Sequence, residues 1–75
     1  METYKNLSGN SGVVAYEIGA DSITVEFKDG TAYLYNDQSA GHENIEQMKL
    51  LARAGAGLNT FINQNAKEAY AVKLR

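Results

Sequence analysis

From Val13 to Asn36 apolar and polar side chains alternate with the period of a β-strand. Ile23, Val25 and Phe27 alternate with Thr24, Glu26 and Lys28, which places one set on each face of a half-buried strand. Upstream, Val14, Tyr16 and Ile18 share one face of a strand over 13–18. Gly19-Ala20-Asp21-Ser22 between them reads as a turn. Downstream, Asp29-Gly30 turns the chain into a third strand over 31–36. The short connections predict an antiparallel three-stranded meander.

After the polar stretch 36–41 the period changes. Ile45, Met48, Leu51 and Ala52 fall on one face at helical spacing, which predicts a helix over 42–54. Glu43 and Glu46 near its start and Lys49 and Arg53 near its end complement the macrodipole. Asp37 and Ser39 are both candidate caps for its start, and Gly55-Ala56-Gly57 supplies residues that stop helices. Asn59 is the candidate N-cap of a second helix, in which Leu58, Phe61, Ile62, Ala66 and Ala69 recur at spacings of three and four. That pattern holds to Lys67 and leaves the end open through Tyr70. Residues 71–75 form a short extended tail or fray. At the other end, Leu7-Ser8-Gly9-Asn10-Ser11-Gly12 cannot pack or hold a ladder, so 1–12 reads as a flexible arm and 13–75 as a single domain. The fold class expected is α+β, with the meander followed by two helices packed on one face of the sheet.

The hairpin around Asp29-Gly30 has two registers. A two-residue loop sets Phe27 opposite Ala32 and Val25 opposite Leu34, and sends Tyr33 and Tyr35 to the other face. There they resemble the aromatic platforms that a sheet offers to single-stranded RNA. A three-residue loop with a bulge at Gly30 pairs Phe27 with Thr31, Val25 with Tyr33 and Ile23 with Tyr35. The tyrosines then join the apolar face. A one-residue slip reverses the whole strand, so only one register holds. The second is favoured, because each large side chain buried contributes ~1.5–3 kcal/mol and the first offers the helices only Ala32 and Leu34. Its weak point is Leu34, left exposed or partly covered.

Length sharpens this preference. A chain of 75 residues holds one domain and buries only about 60% of its unfolded surface. The sequence has no cysteine, so no disulfide staples it and thiolate metal sites are excluded. Packing suffices alone or a partner contributes, which makes self-association or attachment to a larger protein an expectation. No apolar run approaches the ~18 residues of a membrane span, and the first twelve residues lack a signal peptide's apolar core. A cytoplasmic location without membrane contact is expected. The net charge of −2 hides an asymmetry. Residues 1–48 carry eight acidic side chains against two basic ones, and residues 49–75 five basic ones against one acidic. Attraction between the halves on folding explains this more simply than a nucleic-acid face, because the cations are scattered.

The hairpin and what precedes it carry a resemblance. Tyr16 stands seven residues before Ile23, which opens Ile23-Thr24-Val25-Glu26-Phe27-Lys28-Asp29-Gly30, and Tyr33-Leu34-Tyr35 completes the series. This resembles the KTSC domain, a small module named for its position at the C-terminus of some bacterial lysyl-tRNA synthetases and also found free-standing. The family shows a tyrosine, then L-x-V-x-F-x-x-G, then Y-x-Y. Its later part resembles G-x-Y/F-F-N-x-x-I-R-x-x-Y, on which Gly57, Phe61, Ile62, Asn63, Ala66, Lys67 and Tyr70 can be laid. That fit needs two extra residues after the glycine. Ala66 replaces an aliphatic, and the Val-Pro usual after Y-x-Y is absent. The resemblance covers residues 13–70, closely in the hairpin and loosely after it. It implies a compact α+β fold with a three-stranded antiparallel sheet and helices, without a defined function; RNA binding follows from the synthetase association alone. The residue between the two tyrosines is often polar in the family, which supports the inward register. Tyr16, Phe27, Gly30, Tyr33 and Tyr35 are then a family motif belonging to the core.

Little else carries chemistry. His42, the only histidine, sits at a helix start without a placed partner and reads as solvated. Glu43 and Glu46 read as a solvated helix face rather than a cation site. Ser8, Ser11, Ser22 and Ser39 fall in turns or the arm, and no nucleophile can be assigned. Gly55-Ala56-Gly57 lacks the lysine and spacing of a phosphate loop. Neither enzyme nor cofactor is expected, and no small-molecule substrate is implied. The expected function is an accessory or protein-interaction module that engages a protein partner or itself. The alternative is a weak RNA-binding module using Lys49, Arg53 and Lys67, with Tyr70 as a stacking group.

Overall fold

The computed structural model describes residues 1–9 and 11–75. The fold is α+β, built on an antiparallel sheet. Its strands are β1 (Glu2–Thr3), β2 (Val13–Ile18), β3 (Ser22–Phe27), β4 (Ala32–Asn36) and β5 (Val72–Lys73), and they neighbour one another in chain order. Between β4 and β5 lie α1 (Asp37–Ala40), α2 (His42–Ala54) and α3 (Leu58–Phe61), the last continuing as a π-helical turn over Ile62–Ala66. Among the described residues there are thus five strands and three helices, where the sequence predicted three and two.

The hairpin adopts the three-residue loop. Val25 pairs with Tyr33 and Ile23 with Tyr35. The Phe27 N–H donates to the Thr31 carbonyl at 2.8 Å and the Gly30 N–H to the Phe27 carbonyl at 2.9 Å. Gly30 lies at φ +92°, a conformation open to a residue without Cβ. Asp29 fixes the turn: its Oδ1 accepts the Thr31 N–H at 3.0 Å and the Thr31 hydroxyl at 2.7 Å. Tyr35 is buried and Tyr33 half-buried. Leu34, on the other face, is partly covered by its pairing with Val72 of β5.

Two expectations about strands need correction. In β2, Val13 and Tyr16 are buried and Val14 is exposed, because a bulge between Val13 and Ala15 turns Val13 inward opposite Phe27. The predicted arm 1–12 carries structure: Glu2 pairs with Tyr16 and Thr3 with Ala15, and Tyr4 is buried in the core. A small core gains too much from a tyrosine to leave it in solvent. Asn10, also within the predicted arm, lies outside the described residues. Residues 71–75 take the extended alternative, running along β4 with the Ala71 N–H donating to the Leu34 carbonyl and the Leu74 N–H to the Ala32 carbonyl, both at 2.7 Å.

Helix α2 has the predicted bounds. Its start differs from expectation. Asn36, not Asp37 or Ser39, caps a separate one-turn helix, α1, in a reciprocal box with Ser39, and Gly41 precedes α2. Gly57, rather than Asn59, precedes α3. Gly55 ends α2 at φ +76° with its N–H on the Leu51 and Ala52 carbonyls. Ile45, Met48 and Ala52 of α2 pack with Leu58, Ile62 and Ala66 against Val13, Tyr16, Ile23, Val25 and Tyr35 of the sheet. No helix of the described residues is long and apolar enough to cross a membrane.

Candidate binding groove

The core does not close completely. Where the π-helical turn passes the end of the β3–β4 hairpin, an open groove of about 680 Å³ remains. Phe27, Tyr33 and Tyr35 line it from the sheet, and Ile62 and Tyr70 from the C-terminal segment packed on them. Inward register and strand period put the first three on the helix-facing side. The wider turn at Ile62–Ala66 carries Asn63, and Lys67 directly after it, into the groove lining; such turns interrupt a regular helix at functional sites.

The aromatic rings touch in sequence. Tyr33 and Tyr70 have centroids 4.7 Å apart, Phe27 meets Tyr33 edge-on at 5.9 Å, and Tyr35 meets Tyr70 edge-on at 6.4 Å. The Lys73 ammonium lies 6.0 Å from the Tyr33 ring centroid. It reaches this position because Lys73 pairs with Tyr33 across β4 and β5, and cross-strand partners share a face. Burial pushes the Tyr35 phenol up to about 12, with the neighbouring Tyr33 and Tyr70 phenols adding to the shift. The Asp29 carboxyl is held below its ordinary value by the Thr31 hydroxyl and N–H, with Lys73 contributing. Lys28, Lys67, Asp29 and Glu68 line this opening, and Lys73 lies beside it within electrostatic reach of Asp29.

Of the motif residues, Tyr16 and Tyr35 are core and Phe27 and Tyr33 are half-buried walls of the groove. Gly30 is exposed at the turn and takes no part in the core. Of the four expected contact residues, Lys67 and Tyr70 come together at the groove. Lys49 does not join them. It sits at helical spacing with Ile45, Met48 and Ala52 and is buried, its ammonium donating to the Ala20 carbonyl at 3.0 Å and pairing with Glu46 at 3.3 Å. Arg53 is exposed elsewhere, close enough to Tyr16 for its charge to act on that phenol. Arg75 pairs with Glu26 at 2.9 Å. The five C-terminal cations therefore do not converge on one surface. Lys28, Asp29 and Asn63 are groove residues that the sequence did not show, because helix docking brings them together. The sole sequence signal was the exposed hairpin tip itself.

His42 lies outside the groove, its side chain largely exposed and its Nδ1 3.0 Å from Asp37 Oδ2. That hydrogen bond, and then the Asp37 charge, raise the His42 pKa. Among the described residues no cluster of three or more His, Cys, Asp or Glu is placed to hold a metal. The groove lining contains no histidine, cysteine or serine; what it offers is shape, ring edges and alternating charge. No protein family, curated protein or solved structure matches the chain.

Proposed function

We propose that this chain is a small, non-catalytic, cytoplasmic protein-interaction module whose docking surface is the aromatic groove. The observation that carries the reading is the row of contacting rings in which Phe27, Tyr33 and Tyr70 keep surface open to solvent over the buried Tyr35, beside a minimal core. Aromatic side chains with a polar tip are the residues that anchor protein interfaces. The KTSC resemblance fits the same reading, with β2–β4 and the helices on one face as the family's compact unit and β1 and β5 as additions at its edges.

A photo-crosslinking side chain at Asn63, in the groove, tests the reading against the same group at Gln47, exposed on α2. In an extract of the source cells, a discrete protein adduct is expected from position 63 and not from 47, and Tyr70→Ala removes it. Equal adducts from both positions, or none, overturn the reading. RNA remains the second reading, because Lys28, Lys67 and Tyr70 share the groove. Adducts to RNA at position 63 would establish it instead. Its weakness is that stacking on bases needs open ring faces, whereas Tyr33 is packed on Tyr70 and Tyr35 is 1% exposed.

A further inference from the structure

We infer that the groove selects an acidic segment of a partner protein, with one large apolar side chain flanked by carboxylates. This rests on the docking reading above and goes further by giving the partner its chemistry. The groove is less acidic than the protein around it: two lysines (Lys28, Lys67) balance two carboxylates (Asp29, Glu68) in its lining, with Lys73 beside it near the Tyr33 ring, while the chain as a whole carries −2. The two carboxylates are not equivalent. Asp29 spends its Oδ1 on both Thr31 donors and has Lys73 within electrostatic reach, so its charge is largely answered within the turn. Among the described residues, Lys28 and Lys67 have no such side-chain partner, and they come to the groove from different segments, one on the hairpin and one past the π-helical turn. A single acidic flank on each side of an inserted side chain would meet one of them. The walls are apolar and aromatic, with Phe27 and the Tyr33–Tyr70 pair presenting surface to an inserted ring or aliphatic over the buried Ile62.

A polyphosphate chain fits less well. Its charges are continuous, and Glu68 sits next to Lys67 in the rim, so some phosphate would face a carboxylate. A peptide places its carboxylates individually and leaves a neutral backbone beside Glu68.

The test uses the full chain, isotopically labelled, and three short capped peptides: one phenylalanine flanked by glutamate and aspartate, by serine, or by lysine. Shifts confined to the resonances of Phe27, Tyr33, Tyr70 and Lys67 are expected. The acidic peptide should bind roughly tenfold tighter than the serine one, the scale of two rim ion pairs. The preference should shrink with added salt. Lys28→Glu with Lys67→Glu should abolish it without changing the circular dichroism. Tyr70→Ala should weaken all three peptides and Tyr70→Phe should restore them. Equal affinity for the acidic and serine peptides overturns this inference and leaves the docking reading standing. Preference for the lysine peptide overturns it too. Groove shifts with oligouridylate and none with any peptide overturn both. Self-association through the groove, abolished by Leu50→Glu on the exposed, glutamate-flanked face of α2, would make a second copy the occupant and overturn the inference.

Discussion

The Tyr4 hydroxyl accepts the backbone N–H of Leu58 at 3.3 Å across 54 positions of sequence. Both residues are buried, Tyr4 to 3% exposure and Leu58 completely. Leu58 opens α3, and Gly57 before it offers no side-chain cap, so this donor is one of those a helix start leaves without an intrahelical partner. The phenol, one residue past β1, acts as the missing cap from the other end of the chain.

Removing that oxygen leaves the ring in place and the donor buried. Tyr4→Phe should destabilise the protein by about 1–2 kcal/mol, which lowers the melting temperature by roughly 5–15 °C at this size. Tyr4→Ala, which also opens a cavity, should cost ~3–5 kcal/mol. Urea unfolding checks both. If Tyr4→Phe unfolds at the wild-type midpoint, the hydrogen bond is not the tie described.

Gly55 and Gly30 separate strain from crowding. Both have positive φ, +76° and +92°. A Cβ on Gly55 would stand 2.5 Å from Lys5 Cβ, whereas one on Gly30 meets nothing within 4 Å. Gly55→Ala should therefore cost about 2–3 kcal/mol from conformation and clash together. Gly30→Asn should cost about 1 kcal/mol or less, since asparagine tolerates this region. Equal effects in urea unfolding would show that Lys5 gives way freely.

Lys49 follows the same logic in α2. Lys49→Met keeps the buried stem but forfeits the bond to the Ala20 carbonyl and the pair with Glu46, for about 1–2 kcal/mol. Lys49→Glu buries a carboxylate against that carbonyl and should cost ~3 kcal/mol or more. Peptide affinity at the groove should be unchanged in Lys49→Met, because Lys49 does not line it. A loss of affinity there would return Lys49 to the binding surface.

The sequence disclosed features whose cause is local and hid those whose cause is not. The inward register of β4 was legible, because strict alternation and the need for large core residues both pointed at Tyr33 and Tyr35. Helix α2 was legible from its apolar spacing and its glycine stop. Lys49 was half-legible: positions 45, 48, 49 and 52 are one helical face, yet its charge argued for solvent. Val13 and Val14 are identical residues, so nothing in the composition showed which one a bulge would turn inward. Strands β1 and β5 are two residues each, too short to show a period, and they exist only because β2 and β4 offer them edges. The groove depends on all of these together.

Tyr35 makes stability depend on alkaline pH. Its folded phenol is pushed up to about 12, whereas in the unfolded chain it titrates near 10. Between those values the unfolded chain releases a proton that the folded one keeps, so stability falls as pH rises. The contribution is complete below pH ~10 and lost through pH ~12. Tyr35→Phe should flatten this slope in urea unfolding across that window. Tyr16, also raised by burial, leaves part of it. An unchanged slope in Tyr35→Phe would place the alkaline loss elsewhere.

His42 does the converse near neutrality. Its imidazole is raised by the Asp37 hydrogen bond and charge, so the folded protein holds a proton at a pH where the unfolded chain has released it. The stabilisation is whole below the unfolded value of about 6.5 and disappears as pH rises through the higher folded value. The pair spans Gly41, the junction of α1 and α2, so its loss loosens that junction rather than the core. Proton NMR titration of the His42 ring should give a midpoint above 6.5, and Asp37→Asn should bring it down. His42→Gln should remove the decline in urea midpoint between pH 6 and 8. A midpoint at or below the ordinary histidine value would mean that Asp37 does not hold the ring in solution.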